Sequence, residues 1–217
     1  MNLLKRLYIK QIEVGPMQNY MYILGDNQTG EAVMVDPAWE VDRVLKIAAE
    51  DHMKVSKALV THTHFDHVNG IEDFLKQTDG QVYVHKNETP FLKGMQTNVK
   101  PCESGDEVTV GGISIQFIHT PGHTPGSQCF LIADHLVSGD TLFINACGRC
   151  DLPGGNPEDM YRSLTEKLMK FSDDVLLLPG HNYDEQSVSS IGKEKANNPY
   201  LQCKNLNDFL RYRMGIS

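Results

Sequence analysis

Thr61-His62-Thr63-His64-Phe65-Asp66-His67-Val68-Asn69-Gly70 places three histidines and an aspartate within six positions. An apolar, β-prone run, Ala58-Leu59-Val60, precedes it, and Asn69-Gly70 opens a segment with helical spacing. A strand ending in a tight loop can hold ligands to the tolerance a metal needs. Neutral imidazole with carboxylate suits zinc, or iron and manganese less selectively. The chain has nine histidines in 217 residues, so a cluster this dense reads as a metal site rather than as a solvated polar loop.

Outward from that loop, the pattern is one of strands with interspersed helices. Residues 7–14 and 20–24 read as strands around a Gly15-Pro16 turn, and 31–36 as a third strand ended by Pro37. Val41, Val44, Leu45, Ala48 and Ala49 have helical spacing through about His52, and residues 56–61 form the strand that delivers the histidine loop. A short helix at 70–77, a strand at 82–85 and a helical stretch near 87–94 follow. The Gly111-Gly112 pair between two β-like arms predicts a hairpin. Residues 127–134, 135–139 and 175–178 read as strands. A helix starts near Asn156-Pro157-Glu158, and two short helices are expected within 184–214. Two sheet-rich halves, each with its own helices, predict an α/β sandwich with ligands at strand ends.

Three later points sit on such junctions: Thr120-Pro121-Gly122-His123, Gly139-Asp140, and Pro179-Gly180-His181. Singly, each is as readily a turn or capping residue. Together with the first loop they give five histidines and two aspartates, enough for two metals sharing one carboxylate. His52, His85, His119 and His135 lack this context and read as surface or packing residues. Cys147 and Cys150 form a lone Cys-x-x-Cys, a weak signal better explained by packing.

Composition narrows the class. At 217 residues, with 40% apolar and 22% charged residues, one globular domain over 1–217 is expected. The net charge of −8 argues against nucleic acid as the main partner. Without a signal-like apolar region or an 18-residue apolar run, no membrane association and a cytoplasmic location are expected. Five cysteines, an odd number in a reducing compartment, argue against a disulfide framework. A homodimer is compatible with the sequence.

His-x-His-x-Asp-His at 62–67, Thr-Pro-Gly-His at 120–123, Gly-Asp at 139–140 and Pro-Gly-His at 179–181 resemble the metallo-β-lactamase fold superfamily, in the right order. The stretch Gly148-Arg-Cys-Asp-Leu-Pro-Gly-Gly155 looks most like its glyoxalase II-like hydrolases. The resemblance implies an αββα sandwich of two mixed sheets flanked by helices. It implies His62, His64 and His123 on one metal, Asp66, His67 and His181 on the other, and Asp140 bridging them. True metallo-β-lactamases usually carry cysteine where Asp140 stands, and the RNA-processing branch fits poorly with an acidic chain. Glutathione-using glyoxalase II proteins have a longer helical C-terminal region than this chain offers after its last motif, so glutathione specificity does not simply carry over. Arg149 nevertheless sits where that family places a basic residue for an anionic thiol carrier.

The implied activity is zinc-dependent hydrolysis of an acyl thioester on glutathione, coenzyme A or a pantetheine carrier. A hydroxide bridging two Zn2+ ions would attack the carbonyl, with Asp66 orienting it and accepting its proton. A rival expectation is a persulfide dioxygenase with one Fe2+, held on the His62–His64 side together with His123 and Asp140. Cys147-Gly148-Arg149-x-Asp151 and the tail from His181 to Pro199 resemble that group too, whereas Leu152-Pro153-Gly154-Gly155 favours the hydrolase. A metal-stabilised binding module without turnover is the non-enzymatic reading, which the full ligand set disfavours.

Overall fold

The computed structural model describes residues 3–92 and 98–215. After a single helical turn, α1 (Leu3–Arg6), the strands β1 (Leu7–Val14), β2 (Asn19–Asp26) and β3 (Glu31–Val35) form an antiparallel meander. Helix α2 (Val41–Glu50) then crosses over to β4 (Lys54–Val60), which runs parallel to β3. Helices α3 (Phe65–Val68) and α4 (Ile71–Gln77) precede β5 (Gln81–His85), and β6 (Val99–Cys102) completes the parallel part. The six strands lie in sequence order.

The second sheet begins with β7 (Glu107–Val110) and β8 (Ile113–His119), a hairpin with Val110 opposite Ile113. Gly111 at its tip has φ 55, a conformation that glycine adopts without a Cβ clash. β9 (Gln128–Ile132) and β10 (His135–Gly139) continue antiparallel, and β13 (Leu176–Pro179) lies parallel to β10. β14 (Ser189–Ser190) closes the order β14-β13-β10-β9-β8-β7. A two-stranded ribbon, β11 (Leu142–Phe143) with β12 (Ala146–Cys147), projects between β10 and the helices. Helices α5 (Pro157–Arg162), α6 (Ile191–Asn197) and α7 (Leu206–Met214) cover this sheet. Asn156 caps α5 by accepting from the backbone N–H groups of Glu158 and Asp159, with Pro157 in the first turn.

The strand period of two explains the layering. Val33 and Val35 face the core between the sheets, with Leu59, Ile115, Phe117 and Phe130. Ala32 and Met34 face the other way, onto Val41, Val44 and Ala48 of α2 and Phe74 of α4. Met160, Leu164 and Phe209 pack on Cys129, Leu136 and Leu177 on the far face of the second sheet. The result is the expected helix–sheet–sheet–helix sandwich. Phe117 and Phe130 meet edge-on at 5.1 Å in its centre, and burying each fully contributes about 1.5–3 kcal/mol.

One expectation changes, and two features were not anticipated. The helix near 87–94 is one tight turn at Thr89–Phe91, because Pro90 removes a backbone donor; positions 93 and 94 lie outside the described residues. β6 was not foreseen, since Pro101 breaks its pattern, but Pro is tolerated on an edge strand. The two-residue strands of the ribbon are too short to leave a period. Among the described residues, no helix is long and apolar enough to cross a membrane.

Candidate metal centre

The first sheet delivers the 61–67 loop from β4, and the second delivers Asp140 from β10 and His181 from β13. Gln128, at the start of β9, sews the two together: its N–H donates to Thr61 O at 2.9 Å and its side-chain amide to Val60 O at 2.8 Å. Gly139 has φ 50, and a Cβ there would lie 2.6 Å from the Thr61 side chain. Gly180 passes so near Asp140 that a Cβ would lie 2.4 Å from Oδ1. On the other flank, Tyr20 N donates to Gly180 O at 2.8 Å and the Tyr22 hydroxyl to Pro179 O at 2.6 Å, holding the His181 turn against β2.

All seven residues anticipated as ligands converge. Donor atoms of His62, His64 and His123 form one group, and those of Asp66, His67 and His181 another; His62, His67 and Asp140 form a third between them, with atoms within 4.8 Å of one another in each. Asp140 Oδ1 is 3.4 Å from His67 Nε2, and its Oδ2 is 3.5 Å from both His123 Nε2 and His181 Nε2. One carboxylate therefore faces both triads.

The outer hydrogen bonds fix which imidazole nitrogen points inward. His123 Nδ1 donates to Arg149 O at 2.7 Å and His181 Nδ1 to Met17 O at 2.9 Å. His67 Nδ1 lies 2.9 Å from Asp36 Oδ2, and His62 Nδ1 lies 3.1 Å from Thr61 Oγ1, which itself donates to Asp36 at 2.7 Å. The Nε2 edge of each of these four rings is left facing the cluster, as metal-ligating histidines require. His123 Nε2 and Asp140 Oδ1 are buried without a hydrogen-bond partner. Convergent lone pairs and orphaned acceptors fit a divalent cation.

The electrostatics agree. Burial pushes His62 and His64 below the ordinary imidazole range, so both are neutral. Burial opposes the charge on Asp140 as well, but the surrounding histidines, led by His67, hold its carboxyl well below the usual range. At His67 burial is outweighed by Asp140, Asp36 and Asp66, raising it to about 9. Positive charge is favoured here.

The cluster floors a cleft of about 600 Å³ whose walls include Met17, Phe65, Phe143, Leu152, Tyr183 and Arg149. Arg149 thus reaches the cleft, but its guanidinium is engaged by Asp151 through Nε at 3.0 Å and Nη2 at 2.7 Å. Cys147 and Cys150 are buried free thiols pushed up by burial, Cys150 to about 11, which leaves them unreactive. His85 and His119 stack at 3.9 Å away from the cluster, and His135 pairs with Asp134.

Four supporting residues escaped the sequence reading. Asp36 accepts from Thr61 N–H as well as from the Thr61 hydroxyl and His67. Asn19 donates to Asp66 O and Oδ2. The buried Glu88 accepts from Thr63 N–H and hydroxyl and, at 2.7 Å, from Gly126 N–H, linking the two histidine loops. Arg213, from α7, lines the cleft beside Arg149. Only Asp36, at a strand end before Pro37, shared the junction signature that marked the ligands.

Residues 14–181 match the model of the family described as the metallo-beta-lactamase superfamily. A probable polyketide biosynthesis zinc-dependent hydrolase, BaeB of Bacillus velezensis, is 34% identical over 195 residues, covering 90% of this chain and 87% of that one. The crystal structure of ETHE1 from Myxococcus xanthus superposes with a TM-score of 0.87 at 33% identity, covering 97% of this chain and 92% of that one. TTHA1623 in a di-iron-bound form gives a TM-score of 0.78 at 28% identity, covering 88% and 100%. Relatives named for zinc and for iron thus share this fold.

Proposed function

The chain belongs to the metallo-beta-lactamase superfamily, and from that premise we propose that it is a zinc-dependent hydrolase of acyl thioesters with two ions per chain. The observation that carries the reading is Asp140, set between two complete ligand triads. His62, His64 and His123 would hold one ion, Asp66, His67 and His181 the other, with Asp140 shared. Such a pair supplies an acidified water and a polarised carbonyl oxygen.

The chain's own groups do the rest. Asn19 fixes Asp66 Oδ2 at 2.9 Å, leaving that carboxylate oriented to take the proton of the attacking water. The apolar walls from Met17, Phe65 and Phe143 keep bulk water off the acyl group. A thiolate leaves readily, so the cleft needs no strong general acid. The zinc-dependent hydrolase names of two relatives support the class, and a glutathione, coenzyme A or pantetheine carrier is compatible with Arg149.

The likeness to persulfide dioxygenase ETHE1 favours a second reading, a mononuclear iron oxygenase on the same residues. Metal analysis of protein purified without added metal, followed by two assays, tests the choice. About two zinc per chain with thioester turnover is expected. One iron with oxygen uptake on glutathione persulfide and no thioesterase activity would overturn the hydrolase.

A further inference from the structure

We infer that Glu194 and Asn198 are positioning residues that clasp the β11–β12 ribbon and so set Phe143 as the wall of the cleft beside His181; the role in turnover rests on the thioester reading above. Strands of two residues each are too short to hold such a ribbon by themselves. Leu142, Ile144 and Cys147 pack into the far core. The turn at Ile144-Asn145, however, borders a polar recess of about 370 Å³, where its backbone groups need partners. They find them at α6. The buried Glu194 accepts from Asn145 N–H at 2.8 Å. The buried Asn198 donates from Nδ2 to Phe143 O at 3.2 Å and to Ala146 O at 3.1 Å. The two side chains meet each other at 2.9 Å, and the Ser189 hydroxyl donates to the second Glu194 oxygen at 2.5 Å. All of these partners of Glu194 are neutral donors, so the carboxylate serves through its two acceptors rather than its charge.

What the turn carries into the cleft is Phe143. Its ring meets His181 edge-on at 6.0 Å and Tyr183 at 5.6 Å, and Tyr183 stacks on His181 at 4.6 Å. Neither Glu194 nor Asn198 lines the cleft, so both act on it only through the ribbon. The metal ligands are fixed by other bonds. His181 Nδ1 donates to Met17 O at 2.9 Å, and past the ribbon Gly148 O accepts from Arg213 Nε at 3.0 Å. Releasing the clasp therefore shifts an apolar wall and leaves the donors of the metal centre in place. The part of a substrate that feels the change is the apolar part that packs on Phe143.

The test uses the metal-loaded full chain and two thioesters of N-acetylcysteamine, acetyl and octanoyl. For Glu194→Ala, KM is expected to rise about tenfold on the octanoyl thioester, the packing of about two methylenes, and less than about twofold on the acetyl one, with kcat little changed. Glu194→Gln should recover most of the loss, since its amide oxygen still accepts from Asn145 and its NH2 can donate to the Ser189 hydroxyl. Phe143→Ala should raise KM on the octanoyl thioester by itself, and adding Glu194→Ala to it should change KM by less than about twofold more. An equal rise on both thioesters, no rise on either, an undiminished effect in the Phe143→Ala background, or loss of metal from Glu194→Ala would overturn the assignment. The unfolding midpoint confirms that the variants fold, and Asn198→Ala replaces Glu194→Ala if the latter does not. Should the wild type cleave neither thioester, the thioester reading fails, and hydrogen exchange then judges the clasp by itself. Amides of residues 142–147 exchanging about tenfold faster in Glu194→Ala, and near the wild-type rate in Glu194→Gln, support it; exchange in Glu194→Ala equal to wild type overturns it.

Discussion

Asp36 stands at φ 51 at the end of β3, and its two oxygens gather Thr61 N–H, the Thr61 hydroxyl and His67 Nδ1. It never faces the cleft, yet it orients a ligand in each triad, His67 directly and His62 through Thr61. Asp36→Asn keeps the shape and spoils the pattern of donors; metal affinity should fall about 10- to 100-fold in competition with a chelator. Asp140→Ala should be more severe. One carboxylate would serve both ions, so metal analysis is expected to find both lost, and retention of full metal would refute the bridging role. The contrast between these aspartates explains what was legible. His62, His64, Asp66 and His67 lie within six positions at the end of β4 and in the α3 turn, and Asp140 and His181 follow strands directly, so local sequence marks them. Asp36 acts on partners 25 and 31 positions away, and Arg213 on one 65 positions away. No spacing rule links residues so distant.

The loop after β4 and the loop after β8 come from different sheets, and Glu88, in the connection after β5, ties them. Its carboxylate satisfies Thr63 and Gly126 in a buried setting. Glu88→Ala leaves those donors unpaired and should destabilise by about 1–3 kcal/mol in urea unfolding, with Glu88→Gln recovering part of it. Gly180 makes a sharper case, since a Cβ would strike Asp140 Oδ1 and the Gly139 backbone at the end of β10. Gly180→Ala is expected to lose metal, measured by metal analysis, because both the Asp140 carboxylate and the Gly139 backbone beside it must move. Strands with alternating or continuous apolar runs, the Gly111-Gly112 hairpin and the Asn156 cap could all be read from sequence, since each is decided by neighbours along the chain. The edge strand β6 and the ribbon β11–β12 could not. Their pairing is imposed by the elements already in place, and four or two residues carry no period of their own.

Across the whole molecule, β2 links the metal centre to the far end of the sandwich, from Asn19 at Asp66 to Asp26. There Asp26 accepts from Gly112 N–H of the second sheet at 2.8 Å and pairs with Arg6. The Arg6 guanidinium, with the backbone donors, overcomes burial and holds the Asp26 carboxyl at about 2. Its unfolded value is about 3.9, so the clamp contributes fully above that pH and is lost as pH falls from about 4 toward 2. Asp26→Asn should therefore be less stable than wild type at pH 6, with the difference shrinking by pH 3 in urea titrations. At the opposite end, removing metal with a chelator should lower the thermal midpoint, since the proposed ions would bind only the folded arrangement. Each triad takes two members from the first sheet's loop and one from the second sheet: His62 and His64 with His123, Asp66 and His67 with His181. A chain emerging from the ribosome holds four of the seven donors once residue 67 is out, yet neither triad is complete until the second sheet has docked, and the Asp66 triad waits for His181. Under the two-ion reading, loading with metal would come late, and an ion in both positions would report that the two sheets have docked.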